Sequence, residues 1–258
     1  MAPAGSEDAG GEDIQGRFCA KYNIEILIVL ALDTTTRSGS SAVLRDQTIL
    51  AELTGDAALT HGQRLPEELM RVLAAASLRI DDVELFAVAA GPGSFTGLRV
   101  GIATVQGLAM ARGRGVVAVS ALEALARAAI NSTMPIAACM DAQRGEVFAE
   151  LYAPDGQRVI VPAQSLPPGA LLDAWGQALG GGELVFIGDG AVRYGDDVLA
   201  RFGNTTRVLH PPPLAGLIGQ IAAACPDRAV RPHAVIPIYV RKPDAELARD
   251  RRTSPPHR

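Results

Sequence analysis

The hydrophobic pattern of the chain changes at residue 25, where a continuous apolar run begins. Residues 25–33, EILIVLALD, are rich in Leu and Ile and end on Asp33, which is typical of a strand buried on both faces. Two shorter apolar segments, SAVLRD and ILAEL, follow a polar stretch and are separated only by Gln47-Thr48, which predicts an antiparallel pair. The pattern therefore predicts three strands before the first helix.

Helices then alternate with buried strands. Thr60 and Gln63 have the spacing of a capping box, and an apolar stripe at i, i+4, i+7, i+8 and i+11 predicts an amphipathic helix over about 64–78. Pro66 either marks the first turn of this helix or kinks it. The remaining elements of this half are the strand LFAVAAG, a glycine-rich loop, a helix over 94–111, the strand VVAVS and a helix capped by Ser120 and Glu123.

The second half of the chain repeats the beginning of the first. PIAACMD, residues 135–141, ends on an aspartate as the first strand does, and GEVFAELYA returns after a short turn. This echo indicates an internal duplication, although two hairpins of similar composition could arise without one. A helix near 170–179, the strand ELVFIG and the helix PLAGLIGQIAAAC follow. The element order of the first half is that of a ribonuclease H-like unit.

The predicted elements form an α/β protein of two related subdomains with mixed sheets and two tails. The first subdomain covers 25–130, and the second, reduced one covers 131–241. Residues 1–24 mix glycines with acidic residues and lack the features of a signal peptide, so they predict a flexible tail or an upstream mis-assigned start. Residues 242–258 predict a solvated basic tail, since the last 18 residues hold six Lys or Arg against three acids. We expect this tail to be dispensable for folding.

Composition narrows the classes of function. A hydrophobic content of 48% supplies a globular core, and the formal charge of −4 argues against a stand-alone nucleic-acid binder. The longest apolar run, at 26–32, is far shorter than the roughly 18 residues of a membrane span. The three cysteines, Cys19, Cys139 and Cys225, form no CxxC pair, so the sequence indicates neither a disulfide framework nor a zinc site. This cysteine content fits a protein of the reducing cytoplasm.

Five segments of the chain together resemble the TsaB family, also called YeaZ. They are LALDTTT at 30, THGQRLP at 60, GPGSFTGLRVGIATVQGLA at 91, DAQRGEV at 141 and PIYVR at 237. The resemblance implies an actin-like ATPase fold and a non-catalytic scaffold subunit that activates a TsaD-like catalytic partner. A TsaE-like ATPase would complete the assembly, which adds a threonylcarbamoyl group to N6 of adenosine 37 in tRNA. The chain would meet tRNA only through this complex, and a homodimer would be an alternative to the pairing with TsaD.

Two glycines of the 94–111 helix suggest where a partner would bind. Gly97 and Gly101 lie at i, i+4, so another helix backbone could approach this stripe closely, or the glycines could seat the helix on its own sheet. The resemblance favours the first reading, because TsaB-like chains are thought to pair through their first two helices. The predicted partner interface is made of Leu65, Leu69, Leu73, Gly97, Leu98, Gly101 and Val105.

An ATPase or small-molecule kinase is the first alternative. Asp33 stands where an actin-like ATPase places a phosphate and magnesium loop, and the Gly91–Gly97 loop between strand and helix could hold a phosphate. An Asx turn at Asp33 and a tight glycine turn explain the same residues without a ligand. No cofactor is required under the leading interpretation; ATP or ADP with Mg²⁺ would belong to this alternative. The candidate nucleotide loop comprises Asp33, Thr34, Thr35, Gly91, Pro92, Gly93 and Ser94.

A metallopeptidase-like hydrolase is the second alternative. In TsaD-like relatives a His-x-x-x-His pair on one helical face binds a metal, and the resemblance places those two positions at Ala121 and Leu125. Neither side chain can ligate, so the sequence predicts no metal site. His61 lies at a helix start, where a polar residue of the helix entry is a sufficient explanation, and the chain contains no GxSxG nucleophile motif.

Overall fold

The computed structural model describes residues 26–130, 133–180 and 182–241. The tails predicted at 1–24 and 242–258 lie outside the described residues. The first half contains β1 (Ile28–Asp33), β2 (Ser40–Arg45), β3 (Thr48–Thr54), α1 (His61–Ala75), β4 (Leu85–Gly91), α2 (Phe95–Arg112), β5 (Gly115–Ser120) and α3 (Ala121–Ala128). Its sheet has the order β3-β2-β1-β4-β5, with β1 antiparallel to β2 and parallel to β4.

The second half repeats this arrangement. It contains β6 (Ile136–Asp141), β7 (Val147–Tyr152), β8 (Val159–Leu166), α4 (Pro168–Ala178), β9 (Val185–Ile187), α5 (Asp189–Arg193), α6 (Gly195–Phe202), β10 (Arg207–Leu209) and α7 (Ala215–Ala224). Its sheet runs β8-β7-β6-β9-β10, with β6 antiparallel to β7 and parallel to β9. Strand order and direction therefore match in the two halves, which confirms the internal duplication and the predicted actin-like α/β fold.

The sequence signals at the helix starts act as predicted. The side-chain oxygen of Gln63 accepts hydrogen bonds from the backbone N–H of Thr60 (3.0 Å) and from its hydroxyl (2.8 Å), and α1 begins directly after Thr60. Pro66 lies inside α1 rather than in its first turn. The hydroxyl of Ser120 accepts a bond from the N–H of Glu123 at the start of α3.

One buried hydrophobic cluster is shared by the two halves, and each half has a further cluster of its own. α7 follows the second sheet in sequence but packs on β1 and β2 of the first, while α3 packs on β6. Leu125 of α3, Ile136 of β6 and Ile218 of α7 consequently belong to one buried cluster that contains residues of both sheets. None of the helices in the described ranges is long and apolar enough to cross a bilayer.

The last described residues, 229–241, include a short 3₁₀ helix at Pro232–Ala234 and form a segment that we name the C-terminal strap. Val230 forms an antiparallel bridge with Val116, and Gln106 of α2 donates to the carbonyl of Val235 at 3.1 Å. Further along, the N–H of Ile238 donates to the carbonyl of Ala90 at 2.7 Å. The strap thus runs along the first half to the end of β4, a role that the PIYVR motif alone did not reveal.

Candidate functional site

A cleft of about 1120 Å³ opens between the two halves, where the loops after β1 and β6 meet. The start of α2 and the C-terminal strap complete its walls. The residues that line it include Thr35 to Arg37, 57–62, 92–98, Met140 to Arg144, Asp189 and Ile238 to Arg241. Thr35, Pro92, Gly93 and Ser94 of the predicted nucleotide loop therefore face one cavity.

Asp33 closes a turn on its own loop. Its Oδ1 accepts hydrogen bonds from the backbone N–H of Thr35 (2.8 Å) and from the Thr35 hydroxyl (2.6 Å). Only 3% of Asp33 is exposed, and this burial raises the pKa of its carboxyl, although both bonds from Thr35 oppose the rise. Oδ1 of Asp33 is thus engaged in the Asx turn that the sequence allowed. Nucleotide binding at this loop stays a prediction.

Glycines bring the start of α2 into direct contact with this turn. Gly93 has φ +155°, and a Cβ there would lie 2.5 Å from Cβ of Thr35. A Cβ on Gly97 would overlap the carbonyl oxygen of Thr34, and one on Gly101 would overlap the Thr34 hydroxyl. The N–H of Ser94 also donates to the carbonyl of Thr35 at 2.8 Å. The glycines therefore seat α2 inside its own subunit, against the turn that follows β1.

This packing corrects the predicted partner interface. Its side chains are buried inside the subunit, because the apolar stripes of α1 and α2 face their own sheet. The residues concerned are Leu65, Leu69, Leu73, Gly97, Leu98, Gly101 and Val105. The outward faces of the same helices carry Met70 and Met110, which are 67% and 63% exposed. An interface through α1 and α2 would have to use these faces.

The second half carries a counterpart of the Asp33 turn that sequence reasoning missed in part. Oδ1 of Asp141 accepts from the N–H of Gln143 at 3.0 Å, as Asp33 does from Thr35. Asp189, which follows β9 directly after Gly188, accepts on Oδ1 from the N–H of Asp141 (3.0 Å) and of Gly190 (2.9 Å). Burial raises the pKa of Asp189. The signal was available, because GDG after the strand ELVFI mirrors GPG after LFAVAA.

A buried arginine fixes another wall of the cleft, and it too was missed. Arg64 is buried within α1 and donates to Oε2 of Glu68 at 2.6 Å and to the carbonyl of Ser38. Its Nη2 also lies 2.6 Å from Nδ1 of His61, whose Nε2 lies 3.0 Å from the carbonyl oxygen of Thr36. The THGQRLP motif thus ties α1 to the loop after β1.

The protonation of His61 should make the hydrogen bonds between α1 and the loop after β1 depend on pH. Arg64 can only donate, so Nδ1 of His61 accepts and Nε2 carries the proton given to Thr36. Burial and then the charge of Arg64 lower the pKa of His61 below its ordinary value of 6.5. Its contribution to stability is therefore present above pH 6.5 and is lost as the pH falls through the lower folded-state pKa.

We expect the free energy of unfolding of the wild type to fall faster between about pH 7 and 5 than that of His61→Gln. Urea unfolding at a series of pH values measures this difference. His233→Gln, at an exposed position of the strap, is the matched control and should retain the wild-type dependence. Parallel curves for wild type and His61→Gln would contradict the assignment.

The positions compared with a metal-binding histidine pair lie in the core. Ala121 and Leu125 of α3 are both fully buried, and Leu125 packs near Gly188. Within the ranges 26–130, 133–180 and 182–241, no three His, Cys, Asp or Glu side chains are grouped so that they could hold a metal ion.

Known proteins are similar to this chain in sequence and in structure. A family model described as "TsaD: tRNA N6-adenosine threonylcarbamoyltransferase" matches residues 49–176. An uncharacterized protein of Mycobacterium tuberculosis (strain H37Rv) is 32% identical over 229 residues, which cover 86% of this chain and 96% of that protein. The crystal structure of YeaZ from Pseudomonas aeruginosa has a TM-score of 0.68 and 29% identity, and covers 83% of this chain and 99% of its own.

Several relatives carry a functional name. The tRNA threonylcarbamoyladenosine biosynthesis protein TsaB of Haemophilus influenzae is 38% identical over 126 residues, which are 47% of this chain and 52% of that protein. The protein of the same name from Escherichia coli is 34% identical over 129 residues, which are 49% of this chain and 55% of that protein. Each of these two matches thus covers about half of this chain and about half of the relative.

Proposed function

Because this chain belongs to the TsaB (YeaZ) family, we propose that it is a non-catalytic subunit of the cytoplasmic machinery that makes threonylcarbamoyladenosine in tRNA. The observation that carries the non-catalytic assignment is the packing of α3. Where the TsaD-like catalytic relatives are expected to hold a metal, this chain buries Ala121 and Leu125. Its role is to bind and activate a TsaD-like subunit, with a TsaE-like ATPase in the full complex and tRNA bound by the assembly.

The outward faces of α1 and α2 are the proposed contact surface. These two helices pack against each other, and Met70 and Met110 are large apolar side chains that the isolated subunit leaves in solvent. Methionine adapts its shape to a partner and is often used at binding surfaces. A second copy of this chain would compete for the same surface.

Co-purification with the TsaD-like protein of the same genome tests this proposal. Met70→Glu should lower the affinity at least tenfold, because an unpaired charge would be buried in the interface, and should leave the melting temperature of the isolated chain unchanged. Val159→Glu is the control, since Val159 is an exposed apolar residue of β8 in the other half. Equal affinities of the wild type and Met70→Glu for the partner would show that the interface does not include the outward face of α1.

An ATPase is the second candidate, and the duplicated aspartate turns favour it. The loops of Asp33 and Asp141 meet at one cleft, and the pKa of Asp33 is raised by burial and further by the charge of Asp189. Titration of the pure protein with ATP and Mg²⁺ separates the candidates. We expect no turnover, and turnover that Asp33→Asn abolishes would favour the ATPase.

A further inference from the structure

Two aromatic rings and an arginine form a cluster at the rim of the cleft that the proposed function does not use. Phe95 at the start of α2 and Tyr239 of the C-terminal strap have ring centroids 5.5 Å apart, with 31° between the ring planes. The guanidinium carbon of Arg99 lies 3.9 Å from the centroid of Phe95, and its Nε lies 3.5 Å from the Tyr239 hydroxyl. Segments that are far apart in the chain thus build one Arg-aromatic stack.

The rings of this stack are open to solvent on the cleft side. Phe95 is 38% exposed and Tyr239 is 40% exposed, and both line the cleft. Arg99 covers Phe95 from its own helix, so the rings are held in place without being buried. Ordered, half-exposed aromatic faces next to an arginine are the feature on which unpaired nucleobases stack in RNA-binding proteins.

Arginines surround the same opening. Arg37, after β1, and Arg144, at the tip of the β6–β7 hairpin, are exposed and line the cleft. Arg144 and Gly145 have φ of +57° and +79°, and the N–H of Glu146 donates to the carbonyl of Gln143 at 3.1 Å, as in the primed turns that suit a two-stranded hairpin. The turn between β6 and β7 therefore places Arg144 at the mouth.

The acidic groups of the cleft are bonded within the protein. Oδ2 of Asp141 lies 2.6 Å from Nη1 of Arg193, and Asp189 accepts two backbone N–H groups. Asp33 is buried in its turn with Thr35. The surface presented to a ligand at the mouth is consequently aromatic and basic, although the chain as a whole has a formal charge of −4.

We propose that this rim binds single-stranded RNA, with an unpaired nucleobase stacked on Tyr239 and Phe95 and with Arg37 and Arg144 contacting the neighbouring phosphates. The identification of the RNA as tRNA rests on the proposed function. Because only a few arginines lie at this rim, the contact acts together with the RNA-binding surface of the catalytic partner. In this reading the subunit positions the unpaired segment of tRNA as well as supporting the partner.

The test uses the complex assembled with the TsaD-like partner and a fluorescent anticodon stem-loop RNA with an unpaired loop. Tyr239→Ala should weaken binding roughly five- to 150-fold, the effect of removing one stacked base, whereas Tyr239→Phe keeps the ring and should bind as wild type. A fully paired RNA duplex should bind all three complexes equally. Val159→Ala, at an exposed position of β8 outside the cleft and outside the proposed partner surface, is the matched control.

Salt dependence separates the stacking contact from the phosphate contacts. Arg144→Gln should reduce the slope of log affinity against log salt by about 0.7, the value for one phosphate of a single strand. Tyr239→Ala should lower affinity without changing that slope. This split is not expected of a variant that merely loosens the fold, and thermal melting of each complex verifies the folded state.

Three outcomes would overturn the proposal. One is equal RNA affinity of wild type and Tyr239→Ala. The second is a loss of partner binding in Tyr239→Ala with unchanged RNA affinity of the complex that still forms, which would make the rim a protein interface. The third outcome arises if the wild-type chain does not assemble with the partner, which would contradict the proposed function. RNA binding of the isolated wild-type chain and of isolated Tyr239→Ala is then compared at low salt, and equal affinities of these two proteins would overturn the RNA proposal.

Discussion

Replacing Gly101 by alanine is expected to destabilise the isolated chain by roughly 1 to 3 kcal/mol, the usual cost of overpacking a tight contact. A Cβ at this position would overlap the hydroxyl of Thr34, which is itself fully buried and held between α2 and the Asp33 turn. Neither segment has space into which it could move, because the same face of α2 also packs through Gly97. The loss should therefore appear in the free energy of unfolding.

The matched control lies in the same helix. A Cβ on Gly107 would have no atom within 4 Å, so Gly107→Ala should stabilise the chain by roughly 0.5 to 1 kcal/mol through helix propensity alone. Thermal melting of the two variants should give shifts of opposite sign, at about 2 to 4 °C per kcal/mol for a protein of this size. Lost partner binding with an unchanged melting temperature in Gly101→Ala would restore the helix-interface reading of this glycine.

Much of the fold could be predicted because its buried strands are continuous apolar runs. β1 and β4 have no polar face, and a strand of this kind has few other placements in a soluble α/β protein. The elements that were missed carry weak signals. β8 contains Pro162, which is tolerated at a sheet edge but argues against a strand in sequence, while β10 is only three residues long.

The candidate site was predicted less well, since its residues meet through contacts that no local pattern encodes. α2 has apolar residues on all sides, so the stripe with Gly97 and Gly101 could face a partner or its own sheet equally well. The contact of Asp189 with Asp141 spans 48 residues, and the stack of Tyr239 on Phe95 joins distant segments. Only the internal duplication offered a route to Asp189, because a residue in one half predicts its counterpart in the other.

The second large effect is expected at Arg64, where replacement by methionine should destabilise the protein by roughly 3 to 5 kcal/mol. Arg64 is buried, and its removal would leave Glu68 and the carbonyl of Ser38 without their donor in a site that is almost closed to water. An unpaired carboxylate in such surroundings costs far more than the lost pair contributes. Arg71→Met, at an exposed position of the same helix, is the control and should change stability by less than about 0.5 kcal/mol.

A double-mutant cycle identifies the source of this loss. Adding Glu68→Gln to Arg64→Met removes the stranded charge, so the double variant should recover part of the stability that the single variant lost. Recovery should be incomplete, because Ser38 and Nδ1 of His61 would still lack a donor. Urea unfolding of the four proteins measures the coupling. Additive effects of the two substitutions would mean that Arg64 contributes through its apolar packing, and the loop between β1 and β2 would then be held chiefly by the bond between His61 and Thr36.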